Sequence, residues 1–174
     1  NALFTLRDKF PFQSECLRLM LHTGMRAEEC KKITREMITT DEDGDPIILL
    51  KRYIAKGRTQ QQQKDITYDI TTPIREVLDS VKYQLDKPKY KPYQFVPWLF
   101  PTTRISIEKL SDPDKHPGYA VSHNCRIKSL DDCWEAVREI TKLEGSIKTL
   151  RKAFVNLANE TLGGAHKGKS VSKH

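Results

Sequence analysis

Thr23-Gly24-Met25-Arg26-Ala27-Glu28-Glu29 puts an arginine just past a glycine and a carboxylate three residues beyond it. A guanidinium held by a nearby carboxylate is a fixed planar fork, and that fork matches the oxygens of a phosphate. Three more basic segments follow. Tyr53-Ile-Ala-Lys56-Gly57-Arg58 lies where a hairpin tip is expected. Lys148-Thr-Leu-Arg151-Lys152 opens an expected helix, with Lys148 and Arg151 on one face away from Leu150. Gly164-Ala-His166-Lys167-Gly-Lys169-Ser-Val171 is a Gly/Lys loop. Their common chemistry is anion binding. Taken singly, each has a simpler structural reading. The first can be an Arg–Glu pair on a surface helix, and the others solvated basic turns or helix faces.

Apolar spacing shows which elements must carry these residues. Leu17, Met20 and Leu21 give a helix over residues 15–22, with Gly24 as its stop. A second short helix is expected over 27–33, with Cys30 and Ile33 inward. The period then changes to strand-like over 37–39, 46–56 and 65–70. In the last of these Ile66, Tyr68 and Ile70 alternate with Asp65, Thr67 and Asp69. Thr72-Pro73 starts a helix striped by Ile74, Val77, Leu78, Val81 and Leu85. Residues 87–128 lack a period and are rich in proline; Phe95, Trp98, Leu99 and Phe100 are their expected anchors. Ser129-x-x-Asp132 resembles a capping box before a helix with Leu130, Cys133, Trp134, Val137 and Ile140 inward. A last helix over about 149–160 buries Leu150, Ala153, Phe154, Leu157 and Ala158. The expected class is α+β, mostly helical, with a small three-stranded antiparallel sheet.

The chain has 174 residues and net charge +7. Its mass is 20.1 kDa and its pI about 9.2. One domain with its own core is expected, without help from disulfides or metal. No apolar run approaches the ~20 residues of a membrane span, and the first residues do not read as a signal peptide. Seven basic residues against two acidic ones between residues 142 and 174 suit a phosphate-facing segment. The four cysteines form no CxxC pair and are expected reduced, in a cytoplasmic protein. His116, His123, Cys125 and Cys133 fit no common zinc spacing. Asp41-x-Asp43-x-Asp45 is no calcium loop, because Pro46 and Arg52 stand where glycine and a bidentate glutamate belong. Gly163–Ser170 matches the P-loop pattern, but a helix precedes it where a strand is required, and little chain follows. P-loop nucleotide binding is therefore a remote alternative.

In this order the four basic segments resemble the boxes of the tyrosine recombinase, or phage integrase, catalytic domain. Thr23-Gly-Met-Arg26-Ala-Glu-Glu29 is similar to T-G-x-R-x-x-E, and Lys56 stands at the family's hairpin lysine. Lys148-Thr-Leu-Arg151-Lys-Ala-Phe154 is similar to H-x-L-R-x-x-F, and His166 with Val171 to G-H-x-x-x-x-T. Leu99-Phe-Pro101 resembles the family's L-F-P stretch. The resemblance covers nearly the whole chain and implies the integrase catalytic fold over residues 1–174, without the family's N-terminal DNA-clamping domain. It implies site-specific breakage and rejoining of double-stranded DNA through a 3′-phosphotyrosyl link, by a homo-oligomer, such as a tetramer on DNA, in the cytoplasm of a bacterium or of the host cell of a phage or mobile element. Arg26 and Arg151 would clamp the scissile phosphate, with Glu29 in support. Lys56 would be the general acid and His166 a hydrogen-bond donor. Lys148 replaces the usual histidine and suits a phosphate contact better than a general base. Arg58, Lys152, Lys167 and Lys169 would bind DNA. No cofactor, metal or membrane is implied. The family spacing places the nucleophilic tyrosine at position 175, and all six tyrosines present lie upstream of Arg151. The alternatives are a type IB topoisomerase-like enzyme and a catalytically idle DNA-binding module.

Overall fold

The structure, a computed structural model, describes residues 2–51 and 65–161, without the side chains of residues 123 and 157–161. The described elements are α1 (Ala2–Thr5), α2 (Gln13–Thr23), α3 (Ala27–Cys30), β1 (Ile38–Thr40), β2 (Pro46–Leu50), β3 (Ile66–Asp69), α4 (Thr72–Asp86), α5 (Ile107–Ser111), α6 (Asp131–Thr141) and α7 (Lys148–Thr161). The class is mixed α and β, with one antiparallel sheet in the order β1-β2-β3.

Helix α2 is the axis of the molecule. It packs against α1, α3, α4, α6 and α7, and Cys16, Leu17 and Leu19 are fully buried. A helix enclosed on most sides must satisfy every polar group it carries. Glu15, also fully buried, accepts bonds from Arg7 (2.6 Å), Arg18 (2.7 Å) and Ser80 (2.8 Å), which tie the α1–α2 connection and α4 to it.

The sheet is short because only β2 is well covered. Ile47, Ile48 and Leu50 are buried, while Thr39 and Thr40 on β1 are exposed. Tyr68 of β3 pairs with Ile48. The Lys51–Asp65 ion pair (3.5 Å) closes the described base of the hairpin. At the β1–β2 turn the Asp41 carboxylate accepts the Asp43 and Asp45 N–H groups (3.0 and 2.8 Å). This polar turn accounts for the acidic residues.

Several local expectations shift. The second helix stops at Cys30, and β2 is described only to Leu50. Thr71, not Thr72, caps α4. The capping box before α6 does not form: Leu130 is the N-cap, and the Ser129 hydroxyl bonds Asp131 instead (2.6 Å). Ile140 is half-exposed, since α6 turns away at Lys142, a left-handed residue (φ 57°). Ala153 is exposed too, while Leu157 and Ala158 lie outside the described side chains. Phe95 is 76% exposed; the irregular stretch is anchored by Tyr90, Tyr93, Val96, Leu99 and Phe100. Phe12 meets Tyr90 and Tyr93 edge-on at 5.5 and 6.5 Å. Backbone bonds from Leu99 to Ile33 and from Ile127 to Phe100 (2.9 and 3.1 Å) then lay this stretch beside the start of the sheet region.

Candidate functional site

The site begins where α2 ends. Gly24 takes a left-handed conformation (φ 67°) and its N–H bonds Met20 O. The Thr23 hydroxyl donates to Leu19 O (2.7 Å) and accepts the Met25 N–H (3.2 Å). This tight exit delivers Arg26 as the N-cap of α3. Glu29 is buried and uses both oxygens on Arg26: Oε2 accepts its backbone N–H (2.9 Å) and Oε1 its guanidinium Nη1 (3.2 Å). The Arg26 side chain stays 52% exposed, so a held fork faces solvent.

Helix α7 is bolted to that turn. A Cβ at Gly24 would lie 2.4 Å from the Phe154 ring, so the glycine is required by contact as well as by φ. Arg151 is one turn before Phe154 and therefore shares its face. The start of α7 is fixed separately, by the Trp134 indole N–H donating to Gly145 O (3.1 Å). Lys148 is exposed and lines an open cleft of about 760 Å³ with Ala27, Trp134, Glu135 and Arg138. Ala27, on one wall of the cleft, follows Arg26 in the chain. Lys152 is exposed on the same helix.

Tyr68 of β3 borders this turn. Burial pushes its phenol up to about 12, the Glu29 carboxylate adds to the rise, and Arg151 and Arg26 oppose it. One phenol thus lies in the fields of Glu29, Arg151 and Arg26 at once. With Thr23 and Phe154 it lines a groove of about 350 Å³, whose rim includes His22 and Asp69. Burial, then the Arg18 charge, lowers the basicity of His22 against the pull of Glu76.

Of the expected site residues, Arg26 and Glu29 are bonded at the exit of α2, Arg151 lies one turn before the Phe154 that packs on Gly24, and Lys148 lines a cleft with Ala27. Lys56, Arg58, His166, Lys167 and Lys169 lie outside the described residues, as does the P-loop-like run; the chain before that run is helix to Thr161. The cysteines are poor nucleophile candidates: burial raises Cys125, raises Cys30 well above the ordinary thiol range and takes Cys133 to about 12. Among the described residues there is no group of three or more metal-ligating side chains, and no helix is long and apolar enough to cross a membrane.

A half-exposed guanidinium backed by a buried carboxylate is a fixed fork whose geometry suits a tetrahedral oxyanion. No family model, curated protein or solved structure matches this chain, so the use of that fork is to be read from its own residues.

Proposed function

We propose that this chain is the phosphate-clamping catalytic domain of an enzyme that breaks and rejoins duplex DNA, of the tyrosine recombinase kind. One observation carries the reading. Phe154, one turn after Arg151, packs on Gly24, two residues before Arg26, so the elements that carry the two arginines meet although they are far apart in sequence. In the reaction a tyrosine oxygen attacks the scissile phosphorus, forms a 3′-phosphotyrosyl bond and releases a 5′ oxygen. The energy of the broken bond is kept in the new one, so rejoining needs no external energy source. Arg26 and Arg151 hold the non-bridging oxygens and stabilise the charge that grows in the transition state. Lys56 protonates the leaving 5′ oxygen, His166 donates a further bond, and Lys148 is a charged phosphate contact. The nucleophile is expected at position 175 of the gene product, and the enzyme works as an oligomer on DNA.

The test has two parts. Duplex binding by the 174-residue chain should weaken with salt, with a slope of about −0.9 per phosphate contacted. Arg26→Ala and Arg151→Ala should each weaken it tenfold or more. A longer gene product with a tyrosine at position 175 should form a covalent adduct on a suicide DNA substrate, and residues 1–174 alone should not. Adducts from the 174-residue chain would overturn the nucleophile assignment, and a salt-independent affinity would overturn the phosphate clamp.

A further inference from the structure

A second polar cavity opens where the irregular stretch meets the start of α6. Gln13, Thr102, Arg104, Tyr119, Lys128 and Asp132 stand around a volume of about 310 Å³, at the low end for small-molecule sites. Its frame is pinned by backbone bonds from Thr102 N–H to Cys125 O (3.0 Å) and from Ile127 N–H to Phe100 O (3.1 Å). The buried Lys31 donates to Lys128 O (2.6 Å). Gln13, Thr102 and Tyr119 are half-buried, while Arg104, Lys128 and Asp132 are exposed. The inner groups have capacity to spare. The Tyr119 hydroxyl accepts the Ser106 N–H (3.2 Å) and the Thr102 hydroxyl accepts that of Arg104 (3.3 Å), so each keeps a proton to donate. Gln13 Oε1 is buried and accepts from no described residue. Among the described residues no ion pair joins Asp132 to Arg104 or Lys128, although all three line one cavity. Opposite charges held apart, beside uncommitted donors and an uncommitted acceptor, suit a ligand that carries both an anion and hydrogen-bond donors.

We infer that this cavity binds an organic phosphate monoester. Its phosphate takes Arg104, Lys128 and the hydroxyls of Tyr119 and Thr102. The hydroxyl or amino donors of the rest of the molecule go to the Gln13 amide and the Asp132 carboxylate. A bare anion would leave those two unmatched and would meet Asp132 as a like charge. The same chemistry is offered by the 5′-phosphate end of a DNA strand and by a free sugar phosphate. The site shares no residue with Arg26, Arg151 or Lys148, so it stands apart from the phosphate clamp proposed above.

The probes are inorganic phosphate and ribose 5-phosphate, titrated into the 15N-labelled 174-residue chain and followed at the Arg104 and Lys128 amides. Both should bind saturably, ribose 5-phosphate about tenfold more tightly. Arg104→Ala and Lys128→Ala should each weaken both by about tenfold. Asp132→Ala should bring ribose 5-phosphate down toward inorganic phosphate while leaving inorganic phosphate no weaker. Arg26→Ala should change neither. The three replaced side chains of the cavity are exposed, so unfolding midpoints should stay near wild type. A 5′-phosphorylated single strand that binds here more tightly than its 5′-hydroxyl form places the ligand on DNA; equal binding of the two, with ribose 5-phosphate bound, places it on a free molecule. If the two small probes bind equally and Asp132→Ala tightens both, the cavity is only a patch of charge and the inference fails. It fails too if the Arg104 and Lys128 amides do not move, or if Arg26→Ala abolishes the shifts while Arg104→Ala keeps them, since the phosphate would then sit at the clamp.

Discussion

Arg18 with Glu15 and Arg26 with Glu29 are both arginine–carboxylate pairs three residues apart, at opposite ends of one stretch of chain. In each the carboxylate is buried. The arginines differ in what covers them. The Arg18 side chain is 4% exposed; it bonds Glu15, reaches Glu76 at 3.8 Å and lies 4.2 Å from the centre of the Phe4 ring. Arg26 is 52% exposed and bonds Glu29 through one nitrogen. The first pair is a strut inside the helical layer. The second has the same chemistry with one side left open, which is what the proposed phosphate contact of Arg26 requires.

The largest expected effect tests this contrast directly. Glu15→Ala leaves the buried Arg18 without its main partner and also frees Arg7 and Ser80, so it should cost about 3–5 kcal/mol of stability. Arg26→Ala leaves the buried Glu29 its bond from the residue-26 backbone N–H, so it should cost less, about 1–2 kcal/mol, while lowering phosphate and DNA affinity tenfold or more. Urea unfolding followed by tryptophan fluorescence, beside an anion titration, separates the two. Equal stability losses for both variants would mean that Arg26 is a strut as well.

The next effect concerns what holds the open pair in place. Gly24→Ala would strain a left-handed residue and press a methyl into the Phe154 ring, for a cost of about 2–3 kcal/mol. Gly44→Ala is the control: its φ is also positive (87°) but nothing lies within 4 Å, so about 1 kcal/mol is expected. The Gly24 variant should lose anion affinity with its stability and the Gly44 variant should keep it. Matching anion affinities in the two variants would separate the α2 exit from the site.

The legible parts of this molecule are the local ones. A glycine, an arginine two residues on and a glutamate three beyond that specify a helix exit, an N-cap and a backing carboxylate, all within one turn of chain. The alternation over 65–70 likewise puts Ile66 and Tyr68 on one face of a strand. What faces Tyr68 is set by α7, which reaches it through Phe154 on Gly24, and no local pattern encodes that contact. The irregular stretch was opaque for a related reason. Its backbone is satisfied by scattered bonds to Ile33 and Cys125 rather than by a ladder or a helix, so its buried residues follow no period. Ser129 shows competition between local motifs: a hydroxyl two residues before a carboxylate closed a short turn with it, and the longer capping box was lost.

A smaller effect should appear at high pH. The Tyr68 phenol is raised to about 12 in the fold, against about 10 for an unfolded tyrosine. Above the unfolded value the unfolded chain binds fewer protons than the folded one, so stability should fall as pH rises. The contribution of Tyr68 is whole below pH ~10 and lost as pH rises through about 12. Cys133, also raised to about 12, adds its own loss from a lower starting pH. The difference between wild type and Tyr68→Phe isolates the phenol, and the variant should show the shallower decline. Glu29→Gln should lower the Tyr68 transition in a phenolate absorbance titration, because a neighbouring negative charge is removed. An unchanged transition would place Glu29 out of reach of the phenol.

Lys148 should give the smallest effect. It is exposed at the first turn of α7, in a cleft that it lines with Ala27, Trp134 and Glu135. Its place is peripheral: no described carboxylate bonds it, so in the proposed clamp it would add charge at the rim. Lys148→Ala should weaken DNA binding about threefold and reduce the magnitude of the salt slope by about 1, the signature of one lost phosphate contact. Lys148→Arg keeps the charge and should change neither. In the gene product that carries the nucleophile, the arginine variant should retain much of the cleavage of a suicide substrate and the alanine variant less. A general base behaves otherwise, since arginine cannot accept a proton in water. If Lys148→Arg cleaves as poorly as Lys148→Ala, and the wild-type rate follows a single deprotonation near neutral pH, then Lys148 moves the proton and the open side of the clamp holds a base as well as a fork.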